Sequence, residues 1–411
     1  MKRIKRARIF RGNTILARLY SFWLTYISPG NFNYLWNFGS LAFVCLIFQI
    51  ITGVFLAMHY KSDIALAFAS VQYISTNVTF GWFMRYLHSN TASIFFIVVY
   101  LHMLRTFVFG SFMYPRQMLW GSGVILFVLM IITAFFGYVL PWGQMSFWAA
   151  TVITSLFSAI PIVGMDIVLW LWGGFSVNDA TLNRFFSLHF FLPFVIFMLS
   201  IIHMMLLHEF GSSNPQGLIF RPDGLFMSPF YFVKDLNGMT WVFIFLAYLV
   251  CFKPNYMGHP DNYIIANSMV TPAHIVPEWY FLPLYAILRS VPSKLLGIIV
   301  LALAILILLF LPVIVGKLHL NRSIYYKPLL KILIILVIIN CLVLGWVGGK
   351  PVIAPYFVIG QISTFFYFFL FIAFGFVGYC EQISMKDYSI TGFYHLSESK
   401  YIKYDDDDDD E

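Results

Sequence analysis

Polar residues are sparse along this chain, and they divide it into long apolar runs. Reading for uncharged stretches of membrane-spanning length gives eight: 38–58, 91–112, 120–142, 185–207, 236–252, 297–315, 329–347 and 352–380, labelled A to H. A helix crosses the ~30 Å hydrocarbon core with ~20 residues, so each run is read as a transmembrane helix. Run B carries Arg105, E is short, and Lys331 lies near one end of G, where its head can reach the interface. The pattern predicts an all-α, polytopic membrane helix bundle with both termini on one side. Two connections are too long and too apolar for plain loops. Between C and D, 143–175 holds 146–158 and 170–174; between E and F, 253–293 holds TPAHIVPEWY. Both are predicted to lie as short interfacial helices, and such segments carry function more often than the spans do.

Composition agrees with the runs. At 60% hydrophobic and 10% charged, with 46 Phe and 24 Tyr, the chain is far from a soluble domain of about 25% charged residues. Four scattered cysteines (Cys45, Cys251, Cys341, Cys380) form no C-x-x-C, which argues against thiolate metal sites, covalent haem attachment and a disulfide scaffold.

Charge sets the orientation. Seven of the 25 basic residues fall within the first 18 positions and seven of the 18 acids form the run 405–411. The basic start is read as a retained segment against an anionic surface, with a transit peptide as the rival, and the acidic run as a solvated tail. With the N-terminus inside, inner segments hold 18 Lys and Arg and outer segments 7. The positive-inside rule therefore places both termini inside.

Four histidines carry the chemistry. His88 and His102 lie with B, and His189 and His203 with D, each pair 14 residues apart. Fourteen helical steps turn about 1400° and rise about 21 Å, so each pair shares a face and spans most of the membrane. B and D run in the same direction, which sets His88 level with His189 near the outer face and His102 level with His203 near the inner. Bis-imidazole ligation of two haem irons fits this arrangement. Any one of these residues alone reads equally as a bundle hydrogen-bonder. Four at equal spacing on co-directional spans do not. Arg85 and Arg105 each lie three residues from a ligand and could pair with propionates. Gly39 and Gly53 on A, and Gly123 and Gly137 on C, repeat the interval of 14 and would leave gaps at the two levels, although glycine also marks close helix packing.

A polar cluster borders each pair. Outside, Pro277-Glu278-Trp279-Tyr280 and the 143–158 segment lie near His88 and His189. A carboxyl in so apolar a setting can exchange a proton near neutrality. The plainer alternative makes Glu278 a partner for Arg289 or Lys294. Tyr285 would line the same pocket or anchor at the interface. Inside, His208 ends D, Asp235 opens E, and Trp36, Asn37 and Ser40 open A, with Lys234 and Ser212 nearby. A His and an Asp beside a redox centre could deliver protons to a reduced substrate; an ordinary polar helix end is the alternative for His208. His59, His259, His274, His319 and His395 are read as structural.

These features resemble the mitochondrial cytochrome b family, the central subunits of quinol:cytochrome c oxidoreductases. The resemblance runs from Trp36 to about Cys380 and rests on WNFGS (36–40), ITGVFLAMHY (51–60), GWFMRYLHSNTAS (81–93), GYVLPWGQMSFWAATVIT (137–154), WGGFSVNDATLNRFFSLHF (172–190), HEFGSSNP (208–215) and PEWYFLPLYAILRSVPSK (277–294). It implies two non-covalent b-type haems, the outer of lower potential on His88 and His189, the inner of higher potential on His102 and His203. It implies ubiquinol oxidation at an outer pocket through Glu278 and Tyr280, walled by Tyr285, Pro277 and the 143–158 segment with Gly143 and Ala149. It implies ubiquinone reduction at an inner pocket through His208, Asp235, Ser40, Asn37, Lys234 and Ser212. One electron would pass to a Rieske iron–sulfur protein and then a c-type cytochrome; the other would cross the membrane. The implied setting is a homodimeric complex III with accessory subunits in the mitochondrial inner membrane, termini on the matrix side, in contact with lipid and with no nucleic acid. The chain would divide into a basic inner segment (1–35), a four-helix haem-binding half (36–215), a C-terminal half carrying PEWY (216–380) and an inner tail (381–411).

Two departures stand out. Ala149 occupies a position in FWAATVIT where the family usually has Gly; its methyl group should intrude on the outer pocket and lower sensitivity to methoxyacrylate-type inhibitors. The run 405–411 has no counterpart known in the family, whose members begin with an uncleaved amphipathic segment. The chloroplast counterpart divides these spans between two polypeptides and has an extra residue between its span-D histidines, so the single chain and equal spacings favour the respiratory form. The rival reading is a two-haem b-type anchor relaying electrons from a dehydrogenase to quinone, which would not need PEWY beside a second interfacial helix. A transporter would show charges on several spans and broken, repeated helices.

Overall fold

A computed structural model of the chain describes residues 15–217, 224–316 and 327–388. The bases at 2–11, Arg221, Lys317, Arg322, Lys400, Lys403 and the run 405–411, which weigh in the charge argument, lie outside the described residues. The helices are α1 (Ile15–Leu24), α2 (Phe38–Ala57), α3 (Ala67–Asn77), α4 (Gly81–Val108), α5 (Gln117–Val139), α6 (Gln144–Ser155), α7 (Gly164–Trp172), α8 (Asp179–Phe210), α9 (Phe232–Phe252), α10 (Leu282–Arg289), α11 (Lys294–Val315), α12 (Pro328–Gly348) and α13 (Tyr356–Tyr388). One small antiparallel pair, β1 (Ile27–Pro29) with β2 (Gly224–Phe226), ties the start of the chain to the segment before α9.

Eight of the described helices are long and apolar enough to cross a membrane, and they correspond to A to H. The predicted interfacial helices are present as α6 and α7 between C and D and as α10 between E and F. Run B differs most. α4 begins at Gly81, ten residues before the uncharged stretch, because Arg85, His88 and Asn90 interrupt the hydropathy without interrupting the helix. Gly81 starts it in contact with α3: a Cβ there would lie 1.9 Å from the carbonyl oxygen of Ile74. α3 leaves little trace in the sequence, since it buries only Ala67, Ser70 and Ile74.

Within the first four spans, α2 packs against α4 and α5 against α8, which leaves room between the pairs. α8 opens on a capping box, with Asn178 accepting from the Ala180 amide and Thr181 accepting from the Asn178 amide. Pro193 interrupts its hydrogen bonding one turn after His189, because proline has no amide hydrogen for the His189 carbonyl. A second body of packing joins Phe112, Trp120 and Val124 to Ala304, Leu308, Leu330 and Phe371, so α5 shares a core with α11, α12 and α13.

Candidate cofactor and substrate sites

The parallel course of α4 and α8 brings the four histidines into two pairs. The rings of His88 and His189 have centroids 6.2 Å apart at 85°, and those of His102 and His203 are 6.5 Å apart at 64°. An imidazole nitrogen bonds a metal at about 2 Å and lies roughly 1 Å from its ring centre, so two rings sharing one ion stand about 6 Å apart. Both pairs match that separation.

Hydrogen bonds select the ring nitrogen left free. Thr52 donates to the Phe48 carbonyl (2.6 Å), so its oxygen accepts from Nδ1 of His88 at 2.8 Å. Ser122 donates to the Leu119 carbonyl and likewise accepts from Nδ1 of His203, both at 2.8 Å. Nδ1 of His189 donates to the Thr133 carbonyl at 2.8 Å. In all three rings Nε2 is thereby the unprotonated nitrogen, the form a metal requires. His102 differs: Nη2 of Arg105 lies 3.4 Å from its Nδ1.

Each glycine backs one imidazole. A Cβ would lie 3.3 Å from Cε1 of His102 at Gly39, 3.3 Å from that of His88 at Gly53, 3.2 Å from that of His203 at Gly123 and 2.3 Å from that of His189 at Gly137. The space these glycines leave is filled by ring edges, which seats the imidazoles rather than opening a gap beside them.

The outer pair borders a cavity of about 330 Å³, lined by Gly53, Gly137, Thr133 and Arg85 among others, and by Glu278 and Tyr280. Arg85 donates to Ser75 at 3.0 Å and lies 5.5 Å from the Tyr263 ring. At the inner level Arg105 Nε is buried without a hydrogen-bond partner, with the guanidinium 5.4 Å from the Trp36 ring. A buried cation facing no carboxylate is unfavourable unless a bound anion completes it. Opposed imidazoles, three of them with a free Nε2, an apolar cavity at one level and a buried guanidinium with an unsatisfied Nε at the other together fit haems carrying acidic side groups.

In the outer cluster, burial raises the Glu278 carboxyl to about 7, and the Tyr138 hydroxyl lies against it. Arg289 donates to the carbonyls of Val347 and Gly348 at the end of α12, so the plainer assignment of Arg289 to Glu278 is not what forms. Tyr280 is buried, stacked on Phe96 at 3.9 Å and 4°; burial pushes its phenol well above the usual value, so it stays protonated. Tyr285, Pro277, Gly143 and Ala149 do not line this cavity. Tyr285 contacts the Ile275 carbonyl (3.4 Å) and sits under Arg289, while Ala149 is buried on α6. Gly143 fits against Asn262, where a Cβ would meet the Asn262 carbonyl oxygen at 2.3 Å.

Among the inner residues, Asn37, Ser40, Lys234 and Asp235 come together, while Ser212 and His208 have other neighbours. Asn37 donates to the Lys234 carbonyl (3.1 Å), Lys234 Nζ to that of Phe32, and Ser40 donates to the Asn37 carbonyl (2.8 Å) while facing the Asp235 carboxyl. Ser212 is buried, and beside it the Ser213 carbonyl accepts from Trp36 Nε1 at 2.9 Å. His208 lies between Phe22 and Tyr26, with ring centroids at 4.0 and 4.1 Å. The Tyr26 ring stacks on the imidazole at 10°, and that of Phe22 is tilted by 30°.

Several contributors went unread in the sequence. Thr52 and Ser122 each precede a glycine of the 14-residue set, a signal that was available. Tyr138, Phe22 and Tyr26 gave none, because an aromatic residue is unremarkable in so aromatic a chain. His259, read as structural, lines the outer cavity.

The architecture and paired imidazoles define a multi-pass membrane helix bundle of the redox type. The cytochrome b/b6/petB family matches residues 23–211, and the cytochrome b (C-terminal)/b6/petD family matches residues 265–368. Cytochrome b of Chondrus crispus is 56% identical over 351 residues, covering 85% of this chain and 91% of the relative. That of Marchantia polymorpha is 54% identical over 364 residues, covering 89% and 90%. A solved hyperthermophilic respiratory Complex III chain superposes with a TM-score of 0.84 at 31% identity, covering 89% of this chain and 97% of its own. The chain belongs to the cytochrome b family, which carries b-type haem binding and membership of respiratory complex III with it.

Proposed function

We propose that this chain oxidises ubiquinol at an outer site and reduces ubiquinone at an inner one, as the central subunit of a quinol:cytochrome c reductase. The observation that carries the reading is the pair of matched imidazole separations, 6.2 and 6.5 Å, each beside its own polar cluster. His88 with His189, and His102 with His203, would hold two b-type haems, with Arg85 and Arg105 answering their acidic groups. When bound, these would supply one-electron carriers at two depths of the membrane.

The chain's own groups handle protons and position. Glu278 is uncharged when buried against Tyr138 at lower pH, and on ionising it accepts a proton from quinol; Tyr280 stays protonated and donates. At the inner side Asp235 and His208 deliver protons to a reduced quinone, with Ser40 fixing Asp235 and the rings of Phe22 and Tyr26 holding His208. Asn37, Lys234 and Ser212 wall that pocket, and Pro277, Tyr285, Gly143 and Ala149 flank the outer one. A quinol gives up two electrons, and a second acceptor outside the bundle takes the one that does not cross. A Rieske iron–sulfur protein feeding a c-type cytochrome fits that role, within a homodimeric complex of the mitochondrial inner membrane whose matrix side holds both termini. A two-haem anchor serving a dehydrogenase would leave the outer cluster without a purpose.

A redox-titrated difference spectrum of the purified complex tests this directly. Two b haems per chain at separate potentials are expected; one or none would overturn the assignment of the pairs.

A further inference from the structure

The turn carrying Glu278 is fastened to one helix by three separate contacts. Trp279 Nε1 donates to Ser93 Oγ at 3.1 Å, the Tyr280 ring stacks on Phe96, and Tyr100 donates its hydroxyl to the Tyr280 carbonyl at 2.5 Å. Ser93, Phe96 and Tyr100 follow i, i+3, i+7 spacing and form one stripe of α4. His88 and His102 lie on the same helix, about a third and nearly half a turn from Tyr100 respectively. One helix therefore sets the position of a ligand in each imidazole pair and of the carboxylate turn.

We propose that Tyr100 is a positioning residue for Glu278, its hydroxyl locking the turn in register with the face of α4 that carries the histidines. The inference rests on the role given to Glu278 above. Residues 279–281 form a single 3₁₀ turn directly after Glu278, with Phe281 donating to the Glu278 carbonyl at 2.9 Å. A turn so short transmits a shift at the Tyr280 carbonyl to the neighbouring Cα with little loss. The accepting residue Tyr280 is buried, so removing the hydroxyl leaves its carbonyl short of a partner. Around the carboxyl stand Tyr138 of α5 and Tyr263 and Tyr280 of the E–F connection, with Arg85 of α4 behind Tyr263; His88, His189 and His259 lie elsewhere on the cavity wall. Displacement of the turn changes the distance to each of these.

Tyr100→Phe in the assembled complex tests the idea, with Tyr367→Phe as its match. Tyr367 of α13 also donates to a backbone carbonyl, that of Ala304 at 2.9 Å; it is a neighbour of Tyr100 whose hydroxyl is bonded away from the Glu278 turn, so it controls for the loss of a nearby hydroxyl alone. Infrared difference spectroscopy follows the carbonyl stretch of the protonated Glu278 carboxyl, assigned by its loss in Glu278→Gln. Tyr100→Phe is expected to displace that band and to lower kcat for quinol oxidation about tenfold with little change in KM, the b-haem spectrum staying as in the wild type. Tyr367→Phe is expected to leave the band in place. An unmoved band in Tyr100→Phe, or an equal displacement in Tyr367→Phe, overturns the proposal. The band is read without turnover, so a wild-type complex that fails to oxidise quinol overturns the functional reading while a displaced band still supports the positioning.

Discussion

Thr52 holds its hydroxyl oxygen 2.8 Å from Nδ1 of His88 while giving its own proton to the Phe48 carbonyl. The direction of the bond is thereby fixed, with the imidazole donating. Thr52→Val keeps the shape and removes the acceptor. Loss of such an outer contact weakens a metal site about tenfold or more. The variant is expected to lose occupancy or shift the midpoint potential of one b haem and leave the other alone. Ser122→Ala should do the same at the other level, since Ser122 holds His203. A redox titration of the two variants side by side separates the levels.

The glycines predict a graded series. An added methyl at Gly137 would sit 2.3 Å from Cε1 of His189, whereas at Gly39, Gly53 and Gly123 the corresponding distances are 3.2–3.3 Å. The first cannot be relieved without moving the ring; the others need a few tenths of an ångström. Gly137→Ala is expected to abolish the outer haem signal. Gly39→Ala should retain the inner one with a reduced yield. Pyridine haemochrome content per chain distinguishes the two outcomes.

The pH dependence follows from Glu278. Burial lifts its carboxyl from the ordinary 4.5 to about 7, so it is neutral below that point and able to accept a proton above it. Quinol oxidation should therefore rise as pH increases through about 7. Glu278→Gln should flatten that limb and lower the plateau by about a hundredfold, within the usual span for a lost general base. Steady-state rates between pH 5 and 9 provide the check.

Legibility in the sequence was uneven for physical reasons. The spans could be read because hydrocarbon demands long apolar runs, and the histidine pairs because a repeat of 14 preserves a helical face. α4 was mislaid at its start because the polar residues that interrupt its hydropathy, Arg85 and His88, are those the site uses. The partners of Nδ1 were hidden for a related reason. Thr52 and Ser122 act through single oxygens, and Thr133 acts through its backbone carbonyl, which no side-chain pattern reveals. The stripe Ser93, Phe96, Tyr100 is regular enough to see, but its partner lies some 180 residues away, and only the fold shows that the two meet.

Ala149 offers a test on inhibitors. It is buried on α6, at the start of which Gln144 is bonded to the E–F segment through Val270 and Asn267. Ala149 does not line the outer cavity, so its methyl group would act on an inhibitor through the packing of α6. Quinol oxidation is expected to tolerate a methoxyacrylate-type inhibitor, and Ala149→Gly to increase sensitivity at least tenfold, since one methyl group decides binding on about that scale. Inhibitor titration of both forms measures it, and equal sensitivity would falsify the steric account.

Away from the sites, Glu381 joins the last two spans. Its carboxylate accepts from the amides of Leu329 and Leu330 at 2.6 and 3.2 Å, in the first turn of α12, where helix amides lack internal partners. Lys327 is buried just before that turn; its Nζ has no hydrogen bond, and burial holds its ammonium below the usual range while Glu381 opposes the shift. Glu381→Gln removes the charge that both the amides and Lys327 answer to, and leaves a buried cation uncompensated. The loss should amount to about 2–3 kcal/mol, in the range for breaking a buried charged contact. Thermal unfolding of the complex should begin at lower temperature while both b-haem potentials stay in place. Lys327→Met in the same background should recover part of the loss, because it removes the desolvation cost of an unpaired buried ammonium.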